Sequence, residues 1–226
     1  MIDLVALDMA GTTIDDHGSV YVALRGCVEE TGATVSEPNL QRWMGTDKVE
    51  AIGALMRLGG GQPDRRAIAN AFERFHTLLA AFYREQPPVA LPGVVDALST
   101  LRDRGIRIAL TTGFDDGVAT PLLESLGWKV GEDELLDAVV TTSRVAAGRP
   151  APYLIHHAME ALGVHDVRRV LAAGDTLVDL RAAKNAGVIA VGVTSGALDR
   201  ATLEAEPHDF VLDSVAELPA LQVTTH

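Results

Sequence analysis

The chain has 226 residues, 47% of them apolar, a single cysteine and a formal net charge of −12. That apolar content supports a folded core, and the acidic balance argues against a nucleic-acid or anionic-membrane partner, since both need a basic face. No apolar run approaches the roughly 20 residues of a membrane span, the first residues carry no basic leader region, and a lone Cys27 cannot close an intrachain disulfide, so a cytoplasmic protein is expected.

In chain order, Leu4 to Leu7 reads as a buried strand that delivers Asp8 to its end, followed at once by the turn Gly11-Thr12-Thr13. Residues 16–90 show no strand. Helices are predicted from Val20 to Glu30, from Pro38 to Met44, from Asp47 to Leu58 and from Arg65 to Glu85, the last closed by Pro87-Pro88. In the long one, Phe72, Phe75, Leu79 and Phe82 recur at helical spacing. That stripe reads as the core of a small helical domain, with a homodimer contact as the alternative.

From residue 91 helices and strands alternate. Pro92 is expected in the first turn of a helix running to Leu101. Ile106 to Leu110 is a strand ending at Thr111-Thr112-Gly113, and Val118 to Leu126 a helix. Leu136 to Val140 is a short strand, and Tyr153 to Leu162 a helix behind Pro150 and Pro152. Val170 to Ala173 is a strand ending at Gly174-Asp175. Leu177 to Ala186 is a helix closed by Gly187, and Val188 to Val193 and Phe210 to Leu212 are strands. Apolar strands alternating with helices predict an α/β core, residues 1–15 and 91–226, with a parallel sheet covered on both faces. Residues 16–90 form an all-helical cap domain over the carboxyl ends of the strands, where ligands bind in such folds.

Four strand ends carry polar signals: Asp8 with Gly11-Thr12-Thr13; Thr112-Gly113; Gly148-Arg149-Pro150; and Gly174-Asp175-Thr176 with Asp179. Each alone has an ordinary reading. Asp8 could lead a turn, Asp175 and Asp179 could cap a helix, and Arg149 could sit on the surface. His156-His157, on a predicted helix without partners nearby, read as surface histidines.

Taken together, the order and spacing resemble the haloacid dehalogenase-type hydrolases over nearly the whole chain. The resemblance implies a Rossmann-like core and an Asp8 that attacks phosphorus to form an aspartyl-phosphate. It implies Mg²⁺ held by Asp8, the carbonyl of Ala10 and Asp175, with Asp179 bound through water or orienting that shell. Thr12, Thr112 and Gly113 would hold phosphoryl oxygens, and Arg149 would pair with Asp8 and the phosphoryl group. The substrate would be a small anionic phosphonate or phosphate. A phosphoryl dianion repels nucleophiles, and a cation with hydrogen-bond donors offsets that repulsion.

One branch fits better than the rest. Most phosphatases of this superfamily carry an acid two residues after the nucleophile, where this chain has Ala10. Asp8-Met-Ala-Gly-Thr-Thr-Ile-Asp15, Met44-Gly45-Thr46-Asp47-Lys48 and Gly148-Arg149-Pro150 are similar to the phosphonoacetaldehyde hydrolase (phosphonatase) branch. That resemblance gives Lys48 the role of Schiff-base lysine, with Met44 and Gly45 beside the substrate. Cleaving carbon from phosphorus would leave a carbanion, and an iminium formed by a lysine accepts those electrons. Three positions depart from the branch: Ala51 stands for its His, Phe114 for its Tyr, and Gly18-Ser19 lack its Cys. The alternative is a phosphomonoester phosphatase acting on a small phosphorylated metabolite. Closure of the cap is expected, with hinges near Asp15-Asp16 and Pro87-Pro88.

Overall fold

The computed structural model describes residues 1–222. Strand β1 (Leu4–Leu7) is followed by β2 (Ile14–Asp15). Four helices come next: α1 (Ser19–Glu29), α2 (Glu37–Arg42), α3 (Lys48–Leu58) and α4 (Arg65–Glu85). The chain returns through β3 (Val89–Ala90). It then alternates through α5 (Val94–Asp103), β4 (Arg107–Thr111), α6 (Asp116–Ser125), β5 (Ala138–Val140) and α7 (Tyr153–Ala161). The final elements are β6 (Val170–Gly174), α8 (Leu177–Ala186), β7 (Ile189–Val193), α9 (Arg200–Glu204) and β8 (Phe210–Leu212). Among the described residues, no helix is long and apolar enough to cross a membrane.

Six strands form a parallel sheet in the order β5-β4-β1-β6-β7-β8. Alternate residues of β1 serve opposite faces, as the pleat requires. Val5 and Leu7 join one apolar cluster with Ile108, Leu110, Leu171 and Val191. Leu4 and Ala6 join a second cluster with Leu154, Ala158, Leu180 and Ala183 from α7 and α8. Leu7 pairs with Leu110 on one side and Ala173 on the other. The next row up therefore places Asp8 between Thr111 and Gly174, and the Asp8 N–H donates to the Ala173 carbonyl at 2.9 Å. Strand β1 is also the switch point, because the chain pairs β4 on one side of it and β6 on the other, so a crevice opens beyond its end.

The helical unit has its own starts and stops. Asp47 caps α3 by accepting from the Glu50 N–H at 2.9 Å, and Asp64 caps α4 by accepting from the Ala67 N–H at 2.7 Å. Each cap contributes about 1 kcal/mol. The stripe on α4 is apolar packing: Phe75 and Leu79 are fully buried, and Phe72 and Phe82 pack against the same cluster that reaches Leu7 and Phe114 of the core.

Two sequence expectations are corrected. A strand does lie within 16–90, since Val89 pairs antiparallel with Asp15 and Ala90 with Ile14. A two-residue strand is too short to show the alternation by which strands are read. The ribbon is reinforced by a contact between His17 Nε2 and the Pro87 carbonyl at 3.3 Å, and by Tyr83, whose hydroxyl donates to Asp16 at 3.3 Å. Pro92 is not in the first turn of α5. Gly93 has φ 76° and the Val94 N–H donates to the Leu91 carbonyl at 3.2 Å. Pro92-Gly93 is thus the centre of a tight turn, Pro second and Gly third, that delivers the chain to the helix.

Candidate active site

Arg149 organises the site. It is buried, and its Nη1 donates to Asp8 Oδ1 at 2.6 Å. Its Nη2 donates to the Thr111 carbonyl at 2.8 Å and to the Thr111 hydroxyl at 2.9 Å. Its Nε lies 2.8 Å from Asp179 Oδ1, an ion pair too poorly aligned to be a hydrogen bond. Burial alone would lower its proton affinity, but Asp179 and Asp8 more than offset this, so the guanidinium stays charged.

Asp8, Asp175 and Asp179 bring carboxylate oxygens within 4.8 Å of one another, all buried. Burial, then Asp8 and Asp179, hold the Asp175 carboxyl well above the usual carboxylate range. Burial likewise pushes Asp179 up to about 6, with Arg149 opposing. Three carboxyl groups this close cannot all be ionised cheaply in a dry site unless a cation joins them. Asp179 Oδ1 makes no hydrogen bond there. An all-oxygen donor set of this kind suits a hard divalent cation. Asp179 Oδ2 accepts from the Thr176 N–H at 3.0 Å and from the Thr176 hydroxyl, so this residue also caps α8.

The other expected residues fall around this cluster, with different contacts. The Thr12 hydroxyl donates to Asp175 Oδ1 at 2.9 Å, which turns it to the carboxylate rather than into open space. Thr112 Oγ1 accepts from the Phe114 N–H at 3.1 Å and fixes the turn at the end of β4. Ala10 bridges to Ile14 within the turn after β1. His156 is exposed, with its Nε2 3.1 Å from the Ala186 carbonyl, and His157 is half-exposed; neither belongs to the carboxylate cluster.

The helical unit meets the core at this cluster. Met44, Thr46 and Lys48 are buried. A methyl group at Gly113 would lie 2.5 Å from the Thr46 carbonyl oxygen and 2.8 Å from that of Gly45, while one at Gly45 would overlap the Thr176 hydroxyl. The two glycines let the backbones touch. Gly113→Ala is expected to lower kcat/KM about 100-fold with the fold intact, because it holds the Met44–Lys48 loop off the core. Steady-state kinetics beside circular dichroism would check this, and unchanged kinetics would mean the loop need not seat there.

Lys48 is the buried amine of the site. Its Nζ donates to the Thr46 carbonyl at 2.8 Å and lies 5.4 Å from the centre of the Phe114 ring. Burial is the main cause that lowers its pKa to about 8, with Arg149 lowering it further and Asp8, Asp47 and Asp16 opposing. Ala51, one turn along α3, is fully buried and brings no polar group.

Three contributors lie beyond the residues given a role from the sequence, although Thr111 and Thr176 were read there as strand-end residues. Thr111 accepts from Arg149, Thr176 abuts Gly45, and the turn Ser195-Gly196 after β7 lies against Asp175. The last had a signal, since the run Val188 to Val193 closes on Thr-Ser-Gly as its neighbours close on polar turns.

The family model for haloacid dehalogenase-like hydrolases matches residues 2–187. A phosphonoacetaldehyde hydrolase of Latilactobacillus sakei is 30% identical, over 97% of this chain and 94% of the relative. One from Parabacteroides distasonis is 28% identical, over 96% and 94%. Among solved structures, a hydrolase from Pseudomonas syringae superposes with a TM-score of 0.85 at 22% identity, covering 96% of each chain.

Proposed function

The chain belongs to the haloacid dehalogenase-like hydrolases, and on that premise we propose that it cleaves the carbon–phosphorus bond of a small carbonyl phosphonate, phosphonoacetaldehyde or a close relative. The observation that carries this reading is Lys48, a buried amine of lowered pKa on the helical unit, beside a nucleophile loop with Ala10 where an acid would stand for ester hydrolysis. The similarity to phosphonoacetaldehyde hydrolases along nearly the whole chain supports it.

In this reading Lys48 Nζ adds to the substrate carbonyl and loses water to give an iminium. An oxygen of Asp8 attacks phosphorus, the carbon–phosphorus electrons pass into the iminium, and an enamine forms. The enamine takes up a proton at carbon. Water then releases the aldehyde from Lys48 and, separately, phosphate from Asp8. Arg149 holds Asp8 and the phosphoryl oxygens, and the Thr112-Gly113 turn cradles them. Met44 and Gly45 close the site so that water stays off the iminium until cleavage. Asp8, the Ala10 carbonyl and Asp175 would hold Mg²⁺, with Asp179 orienting that set, and the ion would offset the charge of the phosphoryl group.

Mg²⁺ at about a hundredfold excess over its Kd should stabilise the fold by about 2.7 kcal/mol, a rise of roughly 5–11 °C for a chain of this size. Differential scanning calorimetry with and without chelator reads this directly; no shift would count against the cluster as a cation site. Imine formation needs the neutral amine, and with a pKa of about 8 Lys48 is mostly ammonium at pH 7 and mostly neutral at pH 9. Aldehyde release should therefore rise about tenfold per pH unit below 8 and level off above it. A rise continuing past pH 10 would mean an ordinary exposed lysine.

The direct test is incubation with phosphonoacetaldehyde and Mg²⁺, following acetaldehyde and phosphate together, beside a panel of phosphate monoesters. The fully buried Ala51 and the Phe114 ring, standing where the branch has His and Tyr, favour the phosphomonoester reading. Turnover of esters alone would establish that reading in place of the first.

A further inference from the structure

No step of the proposed reaction uses the turn after β7, Thr194-Ser195-Gly196, yet it is built into the site. The Ser195 hydroxyl donates to the Gly11 carbonyl at 2.7 Å, joining turns 184 residues apart. Gly196 lies against the Asp175 carboxylate, and a methyl group there would overlap Oδ2. A methyl group at Gly11 would lie 2.5 Å from the same oxygen. Thr12, on the Gly11 turn, donates to the other carboxylate oxygen at 2.9 Å. Asp175 thus stands in a slot with one wall from the β1 turn and the other from the β7 turn. Among the side-chain hydrogen bonds described, Ser195 to Gly11 ties the two walls directly.

The slot matters because Asp175 is buried beside Asp8 and Asp179, whose carboxylate oxygens lie within 4.8 Å of its own. A side chain in that position keeps one orientation only if its surroundings impose it. Groups that orient a ligand without touching the ion change metal affinity strongly.

We propose that Ser195 is a positioning residue that sets the divalent-cation affinity of the site, by fixing the spacing between the Gly11 turn and the Gly196 wall around Asp175. The proposal rests on the cation reading given above, not on the identity of the organic substrate.

Titration calorimetry of the substrate-free protein with Mg²⁺ tests it, on wild type, Ser195→Ala and Ser195→Thr, with melting midpoints in chelator. Ser195→Ala is expected to bind Mg²⁺ about tenfold more weakly, while its metal-free midpoint falls by no more than about 4 °C, the size of one lost hydrogen bond. Ser195→Thr keeps the hydroxyl and should bind like wild type. If Ser195→Ala does not fold, Ser195→Cys, close in volume but a weak donor, should show the same direction of change. Wild-type affinity in the hydroxyl-lacking variant, or equal losses in the Ala and Thr variants, would overturn the proposal alone. A wild-type protein that takes up no Mg²⁺ would overturn the cation reading and the proposal with it.

Discussion

Asp8→Asn is expected to lower turnover by about 10,000-fold or more while the protein still folds, the scale of losing a nucleophile. The amide keeps the shape of the carboxylate but cannot attack phosphorus. Folding should survive because Arg149 retains Asp179 and both oxygens of Thr111 as partners. The cluster also sheds one of three mutually repelling charges. Phosphate release on any accepted substrate, with circular dichroism as the control, is the measurement. Activity within about tenfold of wild type would remove Asp8 from the chemistry and, with it, both the phosphonate and the ester readings.

Lys48→Arg is expected to lower carbon–phosphorus cleavage by about 1,000-fold, since a guanidinium stays protonated and cannot condense with a carbonyl. The exchange keeps a positive charge near Asp8, so a purely electrostatic role would survive it. Borohydride added during turnover should leave a substrate-derived mass on Lys48 of the wild-type protein and none on the variant. An active enzyme without trapped mass, or a variant that still releases acetaldehyde, would sink the imine route. Loss confined to the phosphonate, with ester turnover intact, would mean that Lys48 serves one reaction only.

The strand ends were legible because each is written locally. An apolar run stops, and the residue after it is Asp8, Thr111 or Gly174, so one register row can be read without knowing the pairing. Arg149 was legible only by resemblance, since nothing around Gly148 and Pro150 says that a guanidinium there reaches Asp8, 141 residues away. The approach of Gly45 to Thr176 could not be read at all, and for Gly196 the polar turn after β7 was visible but not its contact with Asp175. These are contacts between backbone turns distant in sequence, and turns carry no periodicity that records their neighbour. Thr12 shows a different limit. Its position beside the cluster was evident, but the direction of its hydroxyl depends on Asp175, which is 163 residues away.

The paired crossing of β2 and β3 has a consequence for how this molecule can change. Ile14 faces Ala90 and Asp15 faces Val89, so the helical unit leaves and re-enters at neighbouring points. To the six-stranded sheet, everything between them is equivalent to one short closed loop. The cost of closing a loop grows only slowly with its length once its ends are fixed, and such positions tolerate insertion of whole units. The helical unit is thus modular: another unit with equally close ends could be grafted there without altering the register of β1, β4 and β6. Under the proposed reaction, new substrates would become accessible by exchange of that part, while Asp8, Arg149 and Asp175 stay where the sheet puts them.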